Sequence, residues 1–299
     1  MRPIVPYKTI AIGLTLLVAG CRLPYRDGPI PQSVAESRRL SQQGAAALDR
    51  GQQKKAETLL AQAVNAWPTD PEARRHYAES LWQRGDRTEA ILQLEEANRL
   101  APDDSVVLAR LAEMYLATGK FNQARQDADR AIALDPKLPQ AWAARGGALQ
   151  ATGQLEAAQA DFLRALNYAP KDRGILMSVA LLYQQQHQPE RALQTLQSLA
   201  DTYMPGEEPG HVFFMLGQTY ATLGRVDEGV ENLKIAITRE KPTPEMFYTL
   251  GEVELMAGHP VEAATAARQA LTLQPKHQLS RDLLNRIELA QQPSRNLQR

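Results

Sequence analysis

Four prolines, Pro68, Pro102, Pro136 and Pro170, stand 34 residues apart. Gly51, Gly85, Gly119 and Gly153 keep the same interval, as do Ala56, Ala90, Ala124 and Ala158, and Ala63, Ala97, Ala131 and Ala165. Four columns in one register define a repeat. A repeat constrains the fold strongly, because each unit must bury its apolar faces against its neighbours. The glycine column supplies the left-handed conformation that ends a first helix. Pro189 and Pro260 follow two residues after that column's position, where the first turn of a second helix tolerates proline. The recurring proline near the end of each unit removes an amide donor and stops the second helix.

When the proline column closes each unit, the units run 37–70, 71–104, 105–138, 139–172, 173–206, 210–243 and 244–277. The fourth carries Trp142, Gly146, Ala158, Phe162, Ala165 and Pro170. The sixth carries Phe213, Leu216, Gly217, Tyr220, Leu233 and Ala236, and the seventh Phe247, Leu250, Gly251, Ala263, Ala270 and Pro275. This order of large, small and proline positions resembles the tetratricopeptide repeat family over residues 37–277. The resemblance implies an all-α fold, a right-handed superhelical solenoid of antiparallel helix pairs. Small residues such as Gly146, Gly217 and Gly251 would let paired helices approach to about 8–10 Å.

A terminal helix pair would expose its apolar side, so the array needs a cap. Residues 278–291, "QLSRDLLNRIELAQ", place Leu279, Leu283 and Ile287 on one helical face and read as a C-terminal capping helix. Residues 292–299 read as a disordered tail. The fifth unit departs from the pattern, with His187 in the glycine column and Met204 in the proline column. "PGEEPG", residues 205–210, then includes three residues beyond the period. This segment reads either as a plain surface loop or as a break in curvature. His187 is expected in a turn, since His tolerates left-handed geometry better than most residues. The first unit has only Leu40, Gly44 and Ala47 at its large positions, which predicts the least stable packing.

The N-terminus reads as an address. Residues 1–8 carry Arg2 and Lys8, and residues 9–20 carry no charge. That apolar run is shorter than the ~20 residues a membrane span needs, so residues 1–20 read as a secretory signal peptide. Val18, Ala19, Gly20 and Cys21 resemble the bacterial lipobox. The resemblance implies cleavage before Cys21 and acyl chains on Cys21, which would anchor the protein to a membrane. Arg22 rather than aspartate follows, and the same resemblance then implies the outer membrane, facing the periplasm. Residues 21–36, with Pro24, Pro29 and Pro31, read as an extended tether.

Lys and Arg number 34, as do Asp and Glu, so no basic excess points to nucleic acid. One cysteine excludes an intramolecular disulfide. The histidines, His76, His187, His211, His259 and His277, form no HExxH pair, and neither GxSxG nor a glycine-rich phosphate loop occurs. The expectation is therefore no catalytic residue, no metal and no cofactor, and a function carried by a surface.

The family resemblance implies that first helices line a concave face. The inward positions then include Arg38, Gln42, Glu72, His76, Trp82, Arg110, Glu113, Ala143, Ala144, Met177, Leu181, Gln184, His211, Phe214, Met215, Gln218, Tyr248, Glu252 and Met256. The Lys and Asn clamp that some members use for C-terminal carboxylates is missing, because those positions hold Ser41, Ala45, His76, Val106 and Arg110. Small residues in the middle and aromatic and Met side chains toward the end suit a peptide. The expected contacts are Trp82, Met177, Leu181, His211, Phe214, Met215, Gln218, Tyr248 and Glu252. Anchor and repeats together resemble tetratricopeptide lipoproteins that help assemble pilus secretins or outer-membrane complexes. Two other readings stay open: a self-associating homo-oligomer, and an accessory subunit of an envelope enzyme.

Overall fold

The computed structural model describes residues 31–291. The expected signal peptide, Cys21, residues 22–30 of the tether and the tail at 292–299 lie outside the described residues. Among the described residues there are fifteen helices and no strand. They are α1 Gln32–Asp49, α2 Gln53–Ala66, α3 Pro71–Arg84, α4 Arg87–Leu100, α5 Ser105–Ala117, α6 Phe121–Leu134, α7 Pro139–Ala151 and α8 Leu155–Tyr168. The array continues with α9 Arg173–Gln185, α10 Pro189–Ala200, α11 Gly210–Thr222, α12 Val226–Arg239, α13 Pro244–Met256, α14 Pro260–Leu273 and α15 Gln278–Gln291. Helix α1 begins inside the segment read as tether. Pro31 sits at its N-cap, and residues 32–36 can continue the helix because no further proline interrupts them.

Consecutive odd and even helices pack as pairs, from α1 with α2 to α13 with α14, and α15 stands alone at the end. The turn glycines Gly51, Gly85, Gly119, Gly153, Gly224 and Gly258 all have positive φ. His187 is the one non-glycine residue with positive φ among the described residues, at 55°. The second helices α2, α4, α6, α8 and α14 each end two residues before the recurring proline, as steric restriction of the preceding residue requires. The last residue of a unit often caps the next first helix. Asp70 accepts from Glu72 N and Ala73 N at 3.0 and 3.3 Å, and Asp104 from Val106 N and Val107 N at 2.9 and 3.1 Å. Asp172 and Thr243 cap α9 and α13 in the same way.

The pairs close through size matching. A Cβ on Gly44 would lie 2.5 Å from Leu60 Cγ, and one on Gly146 would lie 3.0 Å from Phe162 Cδ1. In α5 and α6 the facing residues are Ala112 and Ala128, both fully buried. Gly44 thus gives the first unit close packing through Leu60 despite its missing aromatic residues.

Each second helix packs on its own partner and on the next first helix, whereas second helices make no substantial contact with one another. First helices do touch in succession: α1 with α3, α5 with α7, α7 with α9, α11 with α13 and α13 with α15. A stack crowded on one side curves toward it, so the first helices form the inner wall. Two neighbouring pairs, α3 with α5 and α9 with α11, stand further apart than the rest. The second gap adjoins the extra residues of the fifth unit. That loop is tied down: Arg173 Nη2 donates to Thr202 O at 2.6 Å and its guanidinium covers the Tyr203 ring, while Arg239 donates to Gly206 O. The stack continues across it through α10 against α11.

Helix α15 differs from expectation in its facing. Ser280, Leu283 and Ile287 are buried, and Leu279 is exposed. Ser280 turns inward because its Oγ bonds His277 Nδ1 at 2.8 Å within the buried junction. Asn285, where a further unit would need a small residue, is exposed and solvates the outer side. Among the described residues no helix is long and apolar enough to cross a membrane.

Candidate binding groove

The inner wall opens where α3 and α5 part. A cavity of about 370 Å³ opens there, lined by Ala45, Leu48 and Asp49 of α1, Arg75, His76, Glu79 and Gln83 of α3, and Val106, Arg110 and Met114 of α5, with Leu94 beneath. Leu94 and Met114 are buried and form an apolar floor. The rim is an ionic lattice that spans the gap between the helices. Arg110 Nη2 and Nε reach Glu79 Oε2 at 2.8 and 3.1 Å, and its Nη1 reaches Glu113 Oε2 at 2.7 Å. The same guanidinium lies 5.7 Å from the centre of the Trp82 ring. Long polar side chains thus fill a gap that small residues close elsewhere.

Burial acts on the rim's ionisable groups. It holds the His76 imidazole below its ordinary value, helped by the adjacent Arg75 and opposed by Glu72, Asp49 and Asp70. It pushes the Glu113 carboxyl up, against the attraction of Arg110. Arg75 lies 3.8 Å from Glu72 and 3.4 Å from the His76 ring, so its hold is looser than that of Arg110.

Two further cavities follow along the wall. One of about 380 Å³ lies among α5, α7 and α9, lined by Leu116, Ala117, Gln140, Ala143, Ala144, Gly174 and Ser178, with Glu113 and Asp172 at its edge. Another of about 390 Å³ lies where α9 and α11 part, lined by Gln184, His187, Pro189, Gln218, Thr219 and Thr222.

These positions redraw the expected contact set. Met215 is buried at 7% exposure with Leu216 and Val212, so it is core and offers no groove contact. Phe214 packs on the cluster of Val230, Leu250 and Val253, filling the junction between units. Tyr248 packs beside α15, edge-on to His277 with ring centres 5.9 Å apart, and its phenol is raised chiefly by burial and then by Glu252. Glu252 bonds Arg286 of α15. His211 turns to the end of α12, where its Nδ1 lies 3.1 Å from Glu240 Oε1. Trp82 is half-buried over the core that includes Leu81, Ile91 and Tyr115. Met177 is half-buried against Leu176 and Val212, Leu181 is exposed at 46%, and Gln218 lines the third cavity. Arg38 and Gln42 are exposed on α1, and Ala144 is buried against Ala112 and Ala128. The aromatic end of the expected groove is therefore filled by the protein itself. Asp49, Arg75 and Gln83 were not among the expected contacts. Asp49, Gln83 and Ala117 stand in one 34-residue column, so the repeat register alone places them on a common wall.

Among the described residues no three His, Cys, Asp or Glu side chains gather as a metal site. A curved stack of helix hairpins with an indented inner wall defines the class: a repeat scaffold that presents an extended surface. The chain belongs to the tetratricopeptide repeat family, whose models match residues 47–109, 81–148, 139–172 and 214–277. A curated relative, Tetratricopeptide repeat protein 28 of Mus musculus, is 28% identical over 51% of this chain, which spans only 6% of that protein's length. Among solved structures, a tetratricopeptide repeat protein from Parabacteroides merdae aligns with a TM-score of 0.60 at 17% identity, covering 85% of this chain and 99% of that one. YrrB, described as having an unusual peptide-binding site, aligns at 0.54 and 19% identity, covering 63% and 96%. The human IFIT1 dimer with m7Gppp-AAAA aligns at 0.65 and 16% identity, covering 85% and 63%. At these identities the likeness is one of fold.

Proposed function

We propose that this chain is a non-enzymatic, lipid-anchored scaffold that holds a segment of a protein partner on its inner wall, in the assembly of a bacterial envelope complex. The observation that carries the reading is the run of three cavities along the first helices, two of them where neighbouring helices part. Repeat arrays use such surfaces for recognition, and the peptide-binding site named for YrrB lies on the same fold. Equal numbers of acidic and basic side chains favour protein over nucleic acid as the partner. Basic Arg2 and Lys8, the uncharged run at 9–20 and Val18-Ala19-Gly20-Cys21 support acyl attachment at Cys21, and Arg22 supports the outer membrane facing the periplasm.

A photo-crosslinking residue at Val106, exposed at the first cavity, should yield one discrete adduct in cells. The same residue at Leu92, exposed on α4 of the outer row, should yield none. Equal yields from both would reject the groove. Cys21→Ala should leave the array folded and move it from the membrane to the soluble fraction. A Cys21→Ala protein that stays membrane-bound and labels with fatty acid would reject the anchor.

A further inference from the structure

The first helices at the middle of the inner wall carry very little charge, in a chain in which 23% of residues are charged. Helices α7, α9 and α11, of 13 residues each, hold no acidic residue and two arginines. Both arginines are committed away from the groove. Arg145 makes a two-pronged contact with Asp161 at 2.6 and 2.8 Å and a third bond to Asp129 at 2.8 Å, on the second helices. Arg173 is held by Thr202 and Tyr203 beyond the end of α10. Of the acidic groups at the edge of the middle cavity, Glu113 is paired with Arg110, and Asp172 accepts from the Ile175 amide at 3.0 Å as the cap of α9, the one carboxylate there without an ion-pair partner among the described residues.

The wall there is furnished with amides. Gln140, Gln150, Gln184, Gln185 and Gln218 follow one another along α7, α9 and α11. Gln150 Nε2 donates to Gln185 Oε1 at 3.0 Å, leaving the Gln150 oxygen and the Gln185 nitrogen free, and Gln184 Nε2 donates to Thr219 Oγ1 at 2.9 Å. A primary amide offers the same donor and acceptor pair as a peptide group. Ala143, Gly174 and Ser178 keep the wall low, and exposed Leu181 stands between the two cavities. An acidic side chain seated here would lose water and meet no free cation among the described residues, and a basic one would find only Asp172 at the edge, whereas an unpaired backbone group would find partners along the wall.

From this arrangement, and resting on the groove reading above, we infer that the middle of the inner wall takes an extended, uncharged peptide segment of the partner. The glutamine amides bond its main chain, and an apolar side chain packs on Leu181.

The test is to pan a random peptide phage library against the full chain and then measure synthetic copies of the enriched peptides by fluorescence anisotropy. The expected peptides are depleted in Asp, Glu, Lys and Arg, and their affinity changes less than about twofold between low and high salt. Leu181→Asp and Ser178→Glu, both on the open wall, should each weaken them about tenfold or more. Arg164→Glu on the outer row should not, and circular dichroism should show all three folded. Enriched peptides that are charged and salt-sensitive, yet lost on Leu181→Asp, overturn this inference and leave the groove standing. Peptides indifferent to both wall substitutions, or no enrichment at all, overturn both.

Discussion

Gly217 lies where α11 crosses α12, and a Cβ there would come 2.6 Å from Leu233 Cγ and 2.9 Å from the Gly229 carbonyl oxygen. A side chain could rotate away, but the carbonyl belongs to a helix that cannot. Gly217→Ala should therefore cost about 1–3 kcal/mol, the usual penalty for overpacking, read as a lower urea midpoint. His187 poses the opposite case. It occupies the left-handed turn position that glycine holds elsewhere, with φ at 55°, and its side chain is exposed. Left-handed backbone costs a residue with a Cβ about 1–2 kcal/mol, and glycine gives back part of that in unfolded-state entropy. His187→Gly should raise stability by about 0.5–1 kcal/mol, checked by the same titration. A loss would mean that His187 makes a contact that outweighs the strain.

At the scale of elements, the last helix shows what the chain's pattern can and cannot specify. Leu279, Leu283 and Ile287 form a helical stripe, but so do Ser280, Leu283 and Ile287, and a period of about 3.6 residues fits both. The neighbours decide, because the buried His277 offers Ser280 a partner that Leu279 could not use. Leu283 is fully buried against Ala263, Ala264 and Ala267, so Leu283→Ala should cost about 2–5 kcal/mol and loosen α13 and α14 first, seen as faster amide exchange there. Leu279→Ser, on the exposed side, should stay within about 0.5 kcal/mol of the parent. Equal losses from the two would restore the face expected from the leucine spacing. Helix ends, in contrast, were legible wherever the glycine and proline columns hold, though not at the start of α1, which begins inside the segment read as tether. Gly51, Gly85, Gly119 and Gly153 and the proline column act through local backbone geometry, which needs no knowledge of neighbours.

For the whole molecule, the repeat register located the inner wall but not its openings. Phe214, Met215 and Tyr248 occupy inward positions by count, yet they are consumed by contacts between units and with α15. Which position stays open depends on the spacing of neighbouring first helices, and that spacing is set by side chains from two or three units at once. The first cavity makes this dependence measurable through pH. His76 on its rim has a folded-state pKa below its ordinary 6.5, chiefly through burial. Between those two values the unfolded chain binds a proton that the folded one does not, so stability rises with pH across that window and is fully present above it. Glu113, raised from 4.5 by burial, acts with the opposite sign: its folded form keeps a proton that the unfolded chain has released, so its share is present at low pH and lost as pH rises through its folded value. Acidification from about pH 7.5 to about 5.5 should thus lower the stability of the α1–α5 region through His76, while Glu113 compensates once its own range is reached. His76→Gln should remove the first loss and leave the second effect. Because each unit couples mainly to its neighbours, hydrogen exchange should place the difference between parent and variant in α1–α5 and leave α11–α15 unchanged. A pH response identical in parent and variant would mean that His76 does not titrate under the burial that the cavity imposes.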